Sequence, residues 1–165
     1  MDTLVTALSD YPEFVPVVAG WHWQEWGHTD PGGTVSAWTA ALARQAGADH
    51  MPGTLVAVEA GTPVGAVCLV ETDMPGHAPV AELSPWIKGL YVDPPARRRG
   101  YGTLLMSRCE AWAAALGDGV LYLYTERDSA AERLYTRIGW QVLRHDHFDG
   151  LAASVMRKSL PSAHR

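Results

Sequence analysis

The chain has 165 residues, a length that suggests one domain, and it is 47% apolar and 19% charged, which excludes a disordered or fibrous protein. Acidic residues outnumber basic ones by 18 to 13, for a net charge of −5, so phosphate-backbone binding to nucleic acid is not expected and a cationic partner fits better. The opening stretch MDTLVTALSDYPEF has no basic n-region, and no window approaches about 18 uninterrupted apolar residues, so the reading is a cytoplasmic protein without a membrane partner.

In chain order, Ser9 to Glu13 reads as a helix start, with Asp10 as the cap, Pro12 in the first turn and Glu13 closing a capping box. Phe14, Val17, Val18 and Trp21 keep helical spacing, which carries the helix to Trp26 and stops it at Gly27. After the turn Asp30 to Gly33, Thr34 caps a second helix with Val35, Trp38, Leu42 and Gln45 on one face. From Thr54 the period changes: TLVAVEAG and TPVGAVCLVE flank Gly61 as a β-hairpin, and PWIKGLYV, from Pro85 to Val92, is a third strand. Leu105, Cys109, Trp112 and Leu116 predict a helix running from Gly100–Gly102 to Gly117. VLYLYT, from Val120, then reads as a buried strand parallel to the third, closing a βαβ unit. Asp128 or Ser129 caps a further helix through Leu134, Tyr135 and Ile138, ended by Gly139, and two last strands, about Trp140 to His145 and Ala152 to Lys158, form a hairpin. Cys68 and Cys109 lie on apolar patterns without a metal-spaced partner and read as small hydrophobes of a reducing compartment, with a disulfide between them left open. His145 and His147 alone are weak grounds for a metal pair, and an exposed hairpin tip is the preferred reading, so no metal is expected.

The chemistry concentrates at LYVDPPARRRGYGTLL, Leu90 to Leu105, where an apolar run, two prolines, three arginines and Gly-Tyr-Gly precede a helical pattern. A helix N-terminus leaves amides unpaired and carries partial positive charge, so it suits an anion. Gly100 and Gly102 remove the β-carbons that would hold a phosphate off, and Arg97, Arg98 and Arg99 add charge. The chain lacks the Gly-Lys-Ser/Thr string of a Walker loop, and Leu105 stands where a dinucleotide fingerprint needs its third glycine or alanine.

Arg97-Arg98-Arg99-Gly100-Tyr101-Gly102 fits the pattern Gln/Arg-x-x-Gly-x-Gly/Ala, and SAAERLYTRIGW, Ser129 to Trp140, is similar to a second cofactor segment in which Tyr135 takes the tyrosine place. On these motifs the chain resembles the GNAT superfamily of acetyl-coenzyme A dependent N-acetyltransferases, most strongly from Trp86 to Trp140. The resemblance implies a single mixed α/β domain (1–165) with a central, mostly antiparallel sheet of six to seven strands, a splayed parallel pair and about four flanking helices. It implies acetyl-coenzyme A as co-substrate, contacted by Leu90, Tyr91, Val92, Arg97, Arg98, Arg99, Gly100, Gly102, Thr103 and Ser129, the last equally readable as a helix cap. It gives Tyr135 the role of the acid that protonates the leaving thiolate. The strand glutamate of histone-type members is replaced by Trp86, which leaves Glu25, Glu71, Asp73 or a file of waters to take the amine's proton. Trp23, Glu25, Trp26, Asp73 and Tyr124 are the expected acceptor side. The acceptor is then an amine on a small molecule or peptide, with a lean to a cationic small amine from the acidic balance and the Trp-rich first helix shared with bacterial members. A homodimer stays open. The alternatives from other classes are a noncatalytic acyl-coenzyme A sensor of the same fold and a nucleotide- or phosphate-binding module using the same helix mouth.

Overall fold

The structure, a computed structural model, describes residues 2–74, 76–148 and 150–162. Seven strands, β1 (Thr3–Ala7), β2 (Gly53–Glu59), β3 (Thr62–Val70), β4 (Trp86–Val92), β5 (Val120–Glu126), β6 (Gln141–Phe148) and β7 (Leu151–Ser159), form one mostly antiparallel sheet in the order β1-β2-β3-β4-β5-β7-β6. Among the described residues its one parallel pair is β4 with β5, with Trp86 opposite Tyr122. Among the described residues four α-helices accompany it: α1 (Val15–Trp26), α2 (Val35–Arg44), α3 (Tyr101–Ala115) and α4 (Ala130–Arg137). This is the mixed α/β class expected from the sequence. The chain divides into two compact units, 1–69 with 89–109 and 70–88 with 110–165.

In the first unit, every residue of β2 is buried, which explains why its Leu55 to Val58 run is continuously apolar rather than alternating. The β2–β3 hairpin turns through Ala60 and Gly61, both with positive φ (49° and 78°), as a two-residue primed turn requires. Strand β1 corrects the sequence reading, which placed no strand before Thr54. It pairs antiparallel with β2, Thr3 opposite Glu59 and Ala7 opposite Leu55. Its five residues are short and mostly half-exposed, so TLVTA carries little of the periodicity that betrays a strand. The first helix also starts later than expected. Asp10 accepts a hydrogen bond from the Thr6 hydroxyl instead of capping, Pro12–Phe14 forms a 3₁₀ turn, and α1 begins at Val15 with no side-chain cap and Pro16 in its first turn. Thr34 does cap α2, its hydroxyl accepting from the Ala37 amide at 3.1 Å. Val15, Val18 and Trp21 of α1 pack with Leu42 of α2 onto Val56, Val58, Ala66, Cys68 and Tyr91.

In the second unit, Trp86 is 1% exposed and packs with Val70, Met74, Val80 and Val155. Strand β5 buries only Leu121 and Leu123 fully; Tyr122 and Tyr124 on its other face are half-buried, so the expectation of burial on both faces holds for one. It pairs antiparallel with β7, Val120 opposite Ser159 and Glu126 opposite Ala153. The final hairpin is longer than read from sequence, and His145 and His147 lie within β6 rather than at its tip. Gly139, with φ of 99°, ends the turn after α4. Beyond it the Trp140 indole donates to Glu110 at 3.0 Å, and the Lys158 ammonium donates to the other oxygen of Glu110 at 2.9 Å and to the Ile138 carbonyl at 2.8 Å. Cys68 and Cys109 are both buried thiols rather than halves of a disulfide, in keeping with the reading as small hydrophobes.

Candidate functional site

Strand β4 cannot run on past Val92 because Pro94 and Pro95 lack the amides a ladder needs. The Asp93 amide donates to the Val64 carbonyl at 2.9 Å, fixing the strand end, and Pro94–Ala96 makes one 3₁₀ turn closed by the Ala96 amide on the Asp93 carbonyl at 2.8 Å. Arg97 is extended, Arg98 is left-handed (φ 63°), and Gly100 is left-handed again (φ 86°) before α3 begins. The Leu104 amide donates to the Gly100 carbonyl at 3.0 Å, which makes Gly100 the residue heading the helix. The amides of Gly100, Tyr101, Gly102 and Thr103 therefore precede the first intrahelical bond, and glycine has no side chain with which to cap them. A β-carbon at Gly100 would meet no heavy atom within 4 Å, so the position needs glycine for its φ, and the space beside it is open. Left-handed residues alternating with ordinary ones turn successive N–H groups to one side, a concavity suited to an anion.

The three arginines divide. The Arg97 Nε donates to the Val92 carbonyl at 2.8 Å and its guanidinium lies 5.3 Å from the centre of the Tyr91 ring. Arg99 is ion-paired with Glu59 and lies 5.4 Å over the Tyr101 ring. The hydrogen bond from Arg99, with a second from Tyr101, holds the Glu59 carboxyl below the usual carboxylate range. Arg97 and Arg99 thus brace the loop, while Arg98 is exposed and has no ion-pair partner among the described residues. Glu59 escaped the sequence reading because its partner lies 40 residues on.

Upstream of the loop, Gly89 bends β4 with φ of 64°, and Leu90, Tyr91 and Val92 follow. The Tyr91 ring is stacked by Trp21 at 5.5 Å and met edge-on by Trp26 at 6.4 Å. Of the two indoles expected on the acceptor side, the structure brings Trp26 to this cluster and takes Trp23 away. Trp23 packs edge-on against Trp38 at 5.4 Å, and a β-carbon on Gly27 would strike it at 2.8 Å. Glu25 is exposed on the same helix, and the Asp30 carboxylate accepts the Trp38 indole N–H at 2.8 Å.

In the second unit, Tyr135 is buried on α4 with its ring 6.3 Å from Trp140, and burial pushes its phenol up to about 12. Ser129 caps α4, its hydroxyl accepting from the Glu132 amide at 3.1 Å, while the Glu132 carboxylate accepts from the amide of Asp128, the residue before the cap, at 3.3 Å. Asp73 lies 3.6 Å from the Lys88 ammonium, yet burial outweighs that charge and raises its pKa. Trp86, in the place of the family's strand glutamate, is core, its indole donating to the Leu83 carbonyl at 2.7 Å. Tyr124 lies 5.4 Å from Phe148, which His77 meets edge-on at 5.8 Å. His77 Nε2 is 2.8 Å from Asp146 Oδ2, which Arg144 also pairs at 2.9 Å. The His77 hydrogen bond, with Arg144 beside it, holds the Asp146 carboxyl low. Sequence reasoning missed this pair, whose members are 69 residues apart. Among the described residues no group of three or more His, Cys, Asp or Glu could hold a metal ion, and no helix is long and apolar enough to cross a membrane.

The acetyltransferase (GNAT) family model matches residues 15–140. Compared with curated proteins by sequence, the chain matches none. Among solved structures it is similar to an aminoglycoside 6'-N-acetyltransferase complexed with coenzyme A (13% identity, 98% of this chain and 99% of that one, TM-score 0.75). It is also similar to yncA from Salmonella typhimurium with its cofactor acetyl-CoA (18% identity, 100% and 98%, TM-score 0.73). A third likeness is to mutant forms of the spermidine/spermine N-acetyltransferase SpeG from Vibrio cholerae (15% identity, 96% and 95%, TM-score 0.70). At these identities the likenesses establish the fold.

Proposed function

The chain belongs to the acetyltransferase (GNAT) family, and we propose that it transfers the acetyl group of acetyl-coenzyme A directly to a primary amine of a small molecule or peptide. One observation carries this reading: the amides of Gly100 to Thr103 head α3 behind a left-handed glycine that cannot cap them, with open space beside it. Those donors suit the diphosphate of the carrier, and Arg98, exposed and without an ion-pair partner among the described residues, adds long-range attraction. Likenesses to structures holding coenzyme A or acetyl-CoA support the same donor.

In the reaction, the amine nitrogen forms a bond to the thioester carbon, the carbon–sulfur bond breaks, and the sulfur leaves as thiolate. A backbone donor among Leu90, Tyr91 and Val92 would stabilise the oxyanion on the way. Tyr135 takes the family's acid position, and a phenol raised to about 12 stays protonated at neutral pH, as a proton donor to a thiolate must. The ammonium of the acceptor has to lose a proton before it attacks. Asp73 suits that task best of the candidates Glu25, Glu71 and Asp73, because burial makes its carboxylate more basic than an exposed one. Small polyamines and aminoglycosides, the acceptors named for two of the similar structures, are cationic and agree with the net charge of −5.

The test is thiol release from acetyl-coenzyme A against spermidine, an aminoglycoside and an N-terminal alanyl peptide. Release with at least one amine, lost in Tyr135→Phe, is the expected result. The buried Trp86 in place of a strand glutamate favours a second reading, a noncatalytic acyl-coenzyme A sensor. Tight coenzyme A binding with no thiol released by any amine would select it.

A further inference from the structure

Gly89 interrupts β4 with φ of 64°, and its carbonyl oxygen is 3.0 Å from Nε2 of His22, a histidine only 9% exposed on α1. A carbonyl can only accept, so Nε2 carries the proton and donates it to that oxygen. The fit is close. A β-carbon on Gly89 would lie 3.3 Å from His22 Cε1 and Nε2 and 3.5 Å from Cys68 Sγ, so space as well as φ reserves the position for glycine. The imidazole is tilted against Trp26, ring centres 5.5 Å apart, and Trp26 in turn meets Tyr91.

A buried histidine that donates to a main-chain carbonyl has a geometric consequence further along the strand. The peptide joining Gly89 to Leu90 is planar and trans, so its carbonyl and its N–H point in opposite directions. Whatever fixes the Gly89 carbonyl also fixes the direction of the Leu90 N–H. We propose that His22 is a positioning residue that holds the Gly89–Leu90 peptide so that the Leu90 N–H is aimed at the acyl carbonyl oxygen of the donor thioester. The inference rests on the acetyl-coenzyme A reading above and adds to it the group that orients the oxyanion donor. Alignment of such a donor matters because its stabilisation grows as charge develops on the oxygen, and a bend in a strand, left to itself, has no ladder to hold its angle.

Two variants separate positioning from packing. His22→Phe keeps a ring against Trp26 and loses the donor; His22→Gln restores a donor. The readout is the amide resonance of Leu90 in isotope-labelled protein, compared between its complexes with acetyl-coenzyme A and with coenzyme A, which lacks the carbonyl. Wild type is expected to show a downfield displacement specific to the acetylated ligand, His22→Phe to lose it, and His22→Gln to recover it. Where an amine is turned over, His22→Phe should lower kcat by about a hundredfold while the donor KM stays within about twofold. A Leu90 amide that responds alike to both ligands in wild type, or a His22→Phe protein that responds as wild type does, overturns the proposal. If wild type binds neither ligand, the donor reading fails first, and the hold on the peptide is then judged in the free protein: faster amide exchange at Leu90 in His22→Phe supports it, unchanged exchange overturns it. Should His22→Phe not fold, the imidazole Nε2 proton of wild type decides, protected from exchange if the bond is made and freely exchanging if it is not.

Discussion

The molecule uses a strand, a loop with left-handed residues and a helix at two places, and the two junctions treat the helix N-terminus in opposite ways. Between β5 and α4, Ser129 accepts from the Glu132 amide, Glu132 accepts from the Asp128 amide, and the Arg133 guanidinium donates to the Asp128 carbonyl at 2.9 Å. One amide of that helix's first turn, that of Glu132, and the Asp128 amide just before it are thus taken up by side chains of the same segment. Between β4 and α3 the heading residue is glycine, and the nearby guanidiniums of Arg97 and Arg99 brace the loop from behind through Val92 and Glu59. The contrast shows how one local device serves two ends. On the proposed function, the helix with a side-chain cap mounts Tyr135, and the helix headed by glycine offers its amides to a ligand.

Variants can break or sharpen this contrast. The largest effect belongs to the mounted side chain: Tyr135→Phe should lower kcat by about a hundredfold or more, with donor affinity unchanged by calorimetry, because a proton donor acts in the chemical step alone. Gly102→Val at the glycine-headed helix should do the reverse, raising the donor KM about tenfold or more by holding the diphosphate away from the amides, with a smaller change in kcat. Ser129→Ala should cost about 1 kcal/mol of stability, read from denaturant midpoints, and leave donor affinity within about twofold. A large loss of affinity there would mean that Ser129 contacts the ligand as well as the helix. The smallest effect concerns the brace. Glu59 has its folded pKa depressed below 4.5 chiefly by the Arg99 hydrogen bond, so its stabilisation is complete above about 4.5 and is lost as pH falls through the folded value. Melting temperatures recorded from about pH 6 to about pH 3 should fall less steeply with acid in Arg99→Gln than in wild type.

Most of the fold was legible because it is written in local patterns. The hairpin of β2 and β3, the strand PWIKGLYV, the Thr34 and Ser129 caps and the glycine that closes α4 all follow from spacing and turn chemistry over a few residues. What escaped has a common cause. Strand β1 is defined by its pairing with β2 rather than by its own five residues, and α1 starts late because Asp10 found a nearer donor in Thr6. The site divides in the same way. The arginine and glycine loop could be read as an anion site from its letters, but that Arg97 and Arg99 are occupied, that Trp26 and not Trp23 reaches Tyr91, and that His22 holds Gly89 are facts of long-range contact. Gly89 alone left a trace, since an isolated glycine in an apolar strand run marks a bend or a close approach.

The central claim is that the amides at the head of α3 bind the diphosphate of a thioester carrier. The most direct measurement is a titration of coenzyme A into isotope-labelled protein, following every backbone amide. The account predicts saturable displacement of the Gly100, Tyr101, Gly102 and Thr103 resonances, with the midpoint moved to about tenfold or more higher coenzyme A in Gly102→Val. Binding that leaves those four amides unmoved, or no binding by well-folded protein, would contradict it.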